Sequence, residues 1–414
     1  IPAIPPIPGT EITQPTNQDL EEIFSPKKDG WLKIGNLLRN KKIEAKINLD
    51  RIVSRHLGIL AMTGMGKSNL VSLITKKISE VKGTVIIFDY HNDYTTLNIP
   101  NVNVIDAKIN PRLLEADQFS EVLEIRENAD VQQRVLRMSF TQEVKEAGEF
   151  WNKLEYEVDL LVNSEDKKLK EIRTSAYRVQ DIIEDAQRRF DDILDPEIGN
   201  PMDYIKEGCT NIINISELSE KQANVAMGFY LQQLLKDRKN ATIAKHGKSK
   251  KQKDYKFFEP VFIILEEAHV FIPKDHDTAA KYWAAKIARE GRKFGVGLGI
   301  VSQRPRSVDL NILSQMGSFA IMKIIQEDDQ RQIASATEST SRELISQLTS
   351  LNVGDAVLVG QWTNLPSMVH VEEVKEKKMG ADQSATKAWI KADKMKNVGG
   401  EPSQGLVQKD LLLD

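Results

Sequence analysis

The segment that most constrains the fold of this chain is a glycine-containing loop, AMTGMGKS at residues 61–68. It follows the apolar run HLGILAM and precedes a stretch of helical character that extends to about Glu80. Phosphate-binding loops have the pattern G-x-x-x-x-G-K-[ST] between a buried strand and a helix. Here Ala61 replaces the first glycine, while Gly66, Lys67 and Ser68 match. The strand and helix context favours a nucleotide-binding loop over a strand–turn–helix without a ligand.

The residue types of this loop suit a triphosphate and its metal ion. Gly64 and Gly66 lack a Cβ, so the backbone amides can turn towards phosphate oxygens, and the following helix directs its positive end at them. Lys67 would reach the β- and γ-phosphates, and the Ser68 hydroxyl would bind Mg²⁺. We therefore predict ATP and Mg²⁺ as cofactors. The predicted nucleotide-binding residues are Thr63, Gly64, Met65, Gly66, Lys67, Ser68 and Asn69.

Two adjacent carboxylates end another apolar run, VFIILEEAH at residues 261–269. This is the Walker B arrangement, in which a strand delivers one acid beside the metal ion and the next acid polarises the attacking water. The first acid is usually Asp, and the longer Glu266 leaves a water-bridged contact with Mg²⁺ open. Glu267 is the predicted catalytic acid, and we expect Lys67 and Glu267 to end adjacent strands. The alternative is a carboxylate pair that stabilises the start of a helix, which the upstream phosphate loop disfavours.

Two further positions are candidates for sensing or stabilising the γ-phosphate. Gln303 follows the apolar run VGLGIVSQ, where a polar side chain can contact the γ-phosphate and report hydrolysis, although a solvated loop is the alternative. Arg292 lies at the end of the predicted helix Ala279–Phe294. A rigid, always charged guanidinium suits a transition-state contact, whereas any cation is favourable at the end of a helix.

Composition excludes several protein classes. The chain has 414 residues, which is a length typical of two or three domains, and its 57 Lys and Arg residues against 60 Asp and Glu give a net charge of −3. That balance excludes a uniformly basic nucleic-acid coat but leaves room for a locally basic channel. The single cysteine, Cys209, excludes a disulfide framework. No apolar run approaches the length of a membrane span, so we expect a cytoplasmic protein without a membrane partner.

The distribution of apolar residues predicts an α/β fold with a helical interruption. Near-continuous apolar runs such as TVIIFD and PVFIIL indicate strands that are covered on both faces, as in a parallel sheet. Residues 107–208 instead show apolar positions at helical spacing, which predicts an inserted helical bundle. The chain begins at Ile1 rather than Met, and we expect a fragment or a processed form that lacks an upstream domain.

Taken together, residues 55–372 resemble the HerA-type ATPases of the HerA/FtsK group of RecA-like DNA translocases. The resemblance is carried by SRHLGILAMTGMGKSN, FDYHNDY, LEEAHVF, GRKFGVGL and SQRP. It implies a RecA-like P-loop core, a bundle like that of archaeal HerA, and the remnant of an N-terminal β-barrel at GWLKIGNLL. The predicted domains are a linker with the end of the barrel (1–50), the first part of the core (51–106), the helical bundle (107–208), the second part of the core (209–373) and an extended C-terminal arm (374–414).

The resemblance also implies a function. It implies a homo-hexameric ring that translocates on or unwinds double-stranded DNA, powered by ATP, and that works with a NurA-like nuclease in end resection during double-strand break repair. Lys67, Glu267, Arg292 and Gln303 are then the catalytic set. A conjugation or packaging motor and a nucleotide-dependent scaffold that recruits a nuclease stay open as alternatives. Residues 236–256 carry nine basic and two acidic side chains, compatible with a DNA channel or with a solvated loop.

Overall fold

One mixed β-sheet of eleven strands organises the part of the chain that this computed structural model describes, residues 13–126, 128–245, 255–337 and 341–375. The strands are β1 (Trp31–Leu37), β2 (Glu44–Asn48), β3 (Leu57–Leu60), β4 (Thr84–Asp89), β5 (Val102–Asp106), β6 (Thr210–Asn214), β7 (Val261–Leu265), β8 (Val296–Ser302), β9 (Ser318–Ile321), β10 (Asp355–Gly360) and β11 (Ser367–Val371).

Helices connect most of these strands. They are α1 (Asn17–Phe24), α2 (Leu49–Arg55), α3 (Lys67–Glu80), α4 (Ala116–Val122), α5 (Asp130–Ser139), α6 (Gln142–Glu146), α7 (Phe150–Val162), α8 (Lys167–Lys170), α9 (Arg173–Arg189), α10 (Glu220–Lys245), α11 (Ala268–Phe271), α12 (Ala279–Phe294), α13 (Leu310–Leu313), α14 (Glu327–Ala336) and α15 (Arg342–Gln347). Within the described ranges, every helix is too short or too polar to cross a lipid bilayer.

The strand order is β2-β1-β11-β10-β9-β3-β8-β7-β4-β6-β5. The strands from β9 to β5 run parallel, and the four at the other end pair antiparallel. The expectation that Lys67 and Glu267 end adjacent strands was wrong, because β8 lies between β3 and β7. Strand order depends on how the crossovers pack, and buried parallel strands of similar composition do not encode it locally.

Apart from the edge strand β5, the parallel strands are buried on both faces, as their near-continuous apolar sequences indicate. In β7, Val261, Ile263 and Leu265 contribute to one apolar cluster, whereas Phe262 and Ile264 contribute to the cluster on the opposite face. Helices α10 and α12 supply the first cluster, and α3 supplies the second. Side chains that alternate between two cores leave no position for a charged residue until the strand ends, which is where the candidate site residues begin.

The strands near residue 30 differ from the predicted barrel remnant. In the described residues, β1 pairs antiparallel with β11 and with β2, so that both strands extend the central sheet instead of closing a separate barrel. Ile34, Ile43 and Ile47 are fully or almost fully buried in the same cluster as the α3 residues. The apolar alternation of these strands therefore reflects burial against the core, a partner that local sequence does not identify.

The stretch between β5 and β6 contains helices α4 to α9 and no strand among its described residues. The apolar positions that predicted helical spacing, Ala176, Val179, Ile183, Ala186, Phe190 and Ile193, are all fully buried. They pack into the same cluster as α10. The separate inserted bundle at residues 107–208 stays a prediction, and so do the other domain boundaries.

Three predicted segments fall partly outside the described residues. These are residues 1–12 of the N-terminal linker, residues 246–254 of the basic run and residues 376–414 of the C-terminal arm. The first part of the basic run, up to Lys245, is described and forms the end of α10.

A buried histidine ties α2 to the sheet. The Nδ1 atom of His56 accepts a hydrogen bond from the Leu298 amide of β8 at 3.0 Å, and its Nε2 lies 3.1 Å from the Ala288 carbonyl oxygen of α12. Nε2 therefore carries the proton and donates it. Burial lowers the pKa of His56 to about 4, because a charged imidazolium is poorly solvated there.

Stability should therefore depend on pH through His56. Between pH 4 and 6.5 the unfolded chain binds a proton at His56 that the folded chain does not. The contribution of His56 to the free energy of unfolding is therefore complete above pH 6.5 and is lost as the pH falls towards 4. The pKa difference corresponds to about 3 kcal/mol. We expect chemical denaturation to show this loss of unfolding free energy in the wild type. The variant His56→Gln should not show it. Parallel pH curves for the two proteins would contradict the assignment.

Candidate active site

The phosphate loop continues β3 before it turns. The Ala61 amide donates to the Ser302 carbonyl at 3.2 Å, and the Met62 amide donates to the Lys323 carbonyl at 3.1 Å. Ala61 is fully buried, and its methyl group belongs to the apolar cluster on the α3 face. The first position of the pattern is therefore still strand-like in this chain, and alanine is accommodated there without a glycine conformation.

The two glycines that follow have left-handed backbone conformations. Gly64 has φ +77° and Gly66 has φ +104°, a region that side chains with a Cβ rarely adopt. Gly66 precedes the first residue of α3, so Lys67, Ser68 and Asn69 form its first turn. Free amides of that turn point towards any anion at the loop.

Gln303 lies at the phosphate loop, as expected for a sensor. The Thr63 hydroxyl donates a hydrogen bond to Oε1 of Gln303. The structure thus joins the loop after β3 to the loop after β8, although the two residues are 240 positions apart. The sensing role of Gln303 stays a prediction.

The side chains of Lys67 and Glu267 are in contact although β8 lies between β3 and β7. The Nζ of Lys67 lies 3.5 Å from Oε1 of Glu267, and the Glu267 side chain is only 8% exposed. Glu267 has φ +44°, a strained conformation for a residue with a Cβ, and strain of this kind is concentrated at functional sites. The backbone thus holds this carboxylate beside the lysine at an energetic cost.

The surroundings of Glu267 keep its carboxylate ionised. Burial alone would raise its pKa, but the contact with His269 and the positive charge of Lys67 lower the pKa of Glu267 below its usual value. Nδ1 of His269 lies 3.2 Å from Oε2, and Nε2 of His91 lies 3.6 Å from Oε1. An ionised, oriented carboxylate beside the lysine of this loop is able to accept a proton from water.

The turn after β4 carries two site residues into place. The buried carboxylate of Asp89 accepts hydrogen bonds from the amides of Asp93 and Tyr94 at 2.9 and 2.8 Å. This folds the chain so that His91 reaches Glu267 and the Tyr94 hydroxyl donates to Oε1 of Glu266 at 2.7 Å. Asp89 therefore shapes the turn, and His91 and Tyr94 line the site.

Glu266 is a deeply buried acid with one oxygen unused. Burial raises the pKa of Glu266 to about 8, and Oε2 is buried without a hydrogen-bond partner in the described residues. A nearby divalent cation would favour the ionised form. No group of three His, Cys, Asp or Glu side chains in the described chain forms a metal cage. A site with Ser68 and Glu266 as its protein ligands, completed by phosphates and water, fits the way Mg²⁺ binds with nucleotides.

The side chain of Asn69 holds the backbone after β11, and nucleotide binding by Asn69 stays a prediction. Its Nδ2 donates to the Glu372 carbonyl at 2.9 Å, and its Oδ1 accepts from the Val374 amide at 2.8 Å. Both ends of the side chain thus hold the backbone that follows β11. In this structure only the Asn69 amide, not its side chain, is free to contribute to nucleotide binding.

Arg292 lies far from the phosphate loop of its own chain. It is exposed near the end of α12, which precedes the start of β8, whereas the phosphate loop follows the end of β3. The two strands are parallel and in register, Leu60 opposite Ser302. The length of β8, roughly 20 Å, therefore separates Arg292 from this chain's own nucleotide site.

Sequence reasoning missed two residues near the predicted set. Tyr94 is one, although it lies in the segment FDYHNDY, one of those that carry the resemblance. Arg55 is the other: burial and the charges of Arg292 and Arg51 lower the pKa of its guanidinium, so these arginines share one end of the sheet. Their proximity depends on how α2 packs beside α12, which local sequence does not reveal.

Comparisons with known proteins identify the family of this chain. The family model described as the central domain of helicase HerA matches residues 32–234. The DNA double-strand break repair helicase HerA of Sulfolobus acidocaldarius is 37% identical over 406 residues, which cover 94% of this chain and 78% of that protein.

Solved structures share the fold. VirB4 of Thermoanaerobacter pseudethanolicus superposes with a TM-score of 0.60 at 16% identity, covering 85% of this chain and 99% of that one. The plasmid coupling protein TrwB, in complex with a non-hydrolysable ATP analogue, gives a TM-score of 0.57 at 11% identity, covering 87% and 92%. At such identities the likeness concerns the fold alone. The family match and the identity to a curated HerA along almost the whole chain mean that this protein belongs to the HerA helicase family.

Proposed function

We propose that this chain is an ATP-driven DNA helicase or translocase of double-strand break repair. The observation that carries the proposal is the contact of Lys67 with an ionised, strained Glu267, which lies just after β7. A protein that only binds nucleotide has no need of such a carboxylate. The HerA relative from Sulfolobus acidocaldarius is named as a DNA double-strand break repair helicase, and the proposal extends that role to this chain.

Each residue then has a distinct part in hydrolysis. Lys67 and the first amides of α3 bind the phosphates, Glu267 accepts the proton of the attacking water, and Gln303 contacts the γ-phosphate from the loop after β8. His269 and His91 keep the Glu267 carboxylate oriented. Bound Mg²⁺ would neutralise charge on the phosphates, with Ser68 and Glu266 as its protein ligands.

We further propose a homo-hexameric ring around duplex DNA that works with a NurA-like nuclease in end resection. The placement of Arg292 supports an assembly, because its guanidinium is too far from its own phosphate loop to act there. The net charge of −3 requires that any DNA-binding surface be locally basic.

The proposed function can be tested by measuring ATP turnover with and without duplex DNA, alongside particle mass. We expect duplex DNA to stimulate the wild type, and Lys67→Ala to lose both tight ATP binding and turnover because the phosphates lose their cation. Lys77→Ala is a matched control, since Lys77 lies on the same helix and pairs with Glu80 at its surface. Tight ATP binding without any turnover would instead support the nucleotide-dependent scaffold.

A further inference from the structure

On the proposed function, the groups around the phosphate loop indicate the side of β3 on which the nucleoside part of bound ATP lies. The residues assigned to the γ-phosphate, Glu267 and Gln303, follow β7 and β8. Both strands lie on one side of β3 in the sheet. An extended triphosphate with its γ-phosphate on that side has its nucleoside end on the other side, over the end of β9, the beginning of β10 and the end of β11.

On that side of β3, the backbone next to β10 and β11 is hydrogen-bonded to the phosphate loop and to the first turn of α3. The Gly354 amide, just before β10, donates to the Met65 carbonyl at 3.1 Å. Asn69 holds the backbone after β11 at Glu372 and Val374. These three hydrogen bonds place the beginning of β10 and the end of β11 against the loop and the first turn of α3.

An oriented imidazole lies at this position. Asp355 and His370 are cross-strand neighbours in β10 and β11, and Nδ1 of His370 lies 2.8 Å from Oδ1 of Asp355. The other oxygen of Asp355 accepts from the Asn352 amide at 3.0 Å. The Asp355 side chain is 2% exposed, whereas the His370 side chain is 57% exposed. A buried carboxylate thus fixes the ring and leaves Nε2 without a partner in the described residues.

The backbone beside the ring is adapted to it. Gly354 has φ +81°, and a Cβ at this position would lie 3.2 Å from Cε1 of His370. The ring therefore lies against the turn whose amide binds the phosphate loop. Val353, the preceding residue, is 61% exposed, which places an apolar side chain on the same turn.

We propose that His370 and Val353 form the contact surface for the nucleoside part of the bound nucleotide, with the nucleobase packed against the imidazole ring. Flat rings stack favourably on nucleobases of any sequence, and the aliphatic Val353 excludes water beside them. Asp355 is a positioning residue, because it acts by holding the His370 ring. The chemistry recognised is a nucleobase joined to a triphosphate, which inorganic triphosphate lacks.

The test compares ATP with inorganic tripolyphosphate, both with Mg²⁺, as competing ligands of the purified full chain. We expect His370→Ala to weaken ATP binding about tenfold, to raise KM for ATP and to leave tripolyphosphate binding unchanged. Asp355→Asn should shift ATP binding in the same direction by less. His276→Ala is the matched control, because His276 is an exposed histidine in the loop before α12.

A purely structural role of the Asp355–His370 pair predicts a different result. Equal losses for ATP and tripolyphosphate, with a lowered melting temperature, would overturn the proposal, and so would unchanged ATP binding in His370→Ala. Failure of the proposed function would appear elsewhere, as the absence of DNA-stimulated turnover in the wild type. The selective loss of ATP binding does not depend on DNA, so the two failures are distinguishable.

Discussion

Glu267→Gln is expected to bind ATP as tightly as the wild type and to hydrolyse it about 10²–10⁴-fold more slowly. The amide has the shape of the carboxylate but cannot accept the proton of the attacking water. It also carries no charge, so Lys67 loses a partner at 3.5 Å and stays free for the phosphates. Binding and single-turnover hydrolysis of radiolabelled ATP measure the two effects separately.

The control for this variant is Glu259→Gln. Glu259 lies just before β7, at the end of the strand opposite to Glu267, and pairs with Lys245 on the surface. We expect its turnover to equal that of the wild type. Normal turnover in Glu267→Gln would show that another group activates water, and Glu267 would lose its catalytic assignment.

The parts of the site that could be predicted are those encoded by contiguous residues. The spacing from Ala61 to Ser68 encodes a loop, because glycine conformation and a helix start are local properties. The acids after β7 were predictable for a similar reason, since a buried strand excludes charge until it ends. The expectation that Lys67 and Glu267 end adjacent strands was wrong, yet their side chains lie 3.5 Å apart.

The parts that could not be predicted depend on long-range packing. β8 lies between β3 and β7, an order that the chain adopts only when its crossovers pack. The hydrogen bond from Tyr94 to Glu266 joins residues 172 positions apart, and Asn69 holds backbone more than 300 residues away. No spacing rule connects such positions, so the sequence did not indicate that the Asn69 side chain holds backbone after β11.

Arg292→Ala is expected to bind ATP and to assemble, yet to hydrolyse ATP about 10³-fold more slowly or worse, as when an arginine finger is removed. The length of β8 separates Arg292 from its own phosphate loop, so any contact with a γ-phosphate is made in a neighbouring subunit. Lys293→Ala is the control, because Lys293 is the adjacent exposed cation at the same end of α12. If Arg292 is only a favourable cation at the end of α12, both variants should show similarly small effects on ATP turnover.

Mixing Arg292→Ala with Glu267→Gln subunits distinguishes action in trans from action in cis. If Arg292 acts on its own nucleotide, neither kind of subunit has a complete site and no mixture is active. If it acts in trans, an interface that joins the Glu267 of one subunit to the Arg292 of the next is complete, and part of the turnover returns. Should mixed rings form without turnover, wild-type subunits are titrated into Glu267→Gln rings. If activity then declines in proportion to the fraction of Glu267→Gln subunits, Arg292 acts in cis. If a single Glu267→Gln subunit abolishes the activity of a ring, the ring hydrolyses ATP only when all its interfaces are intact.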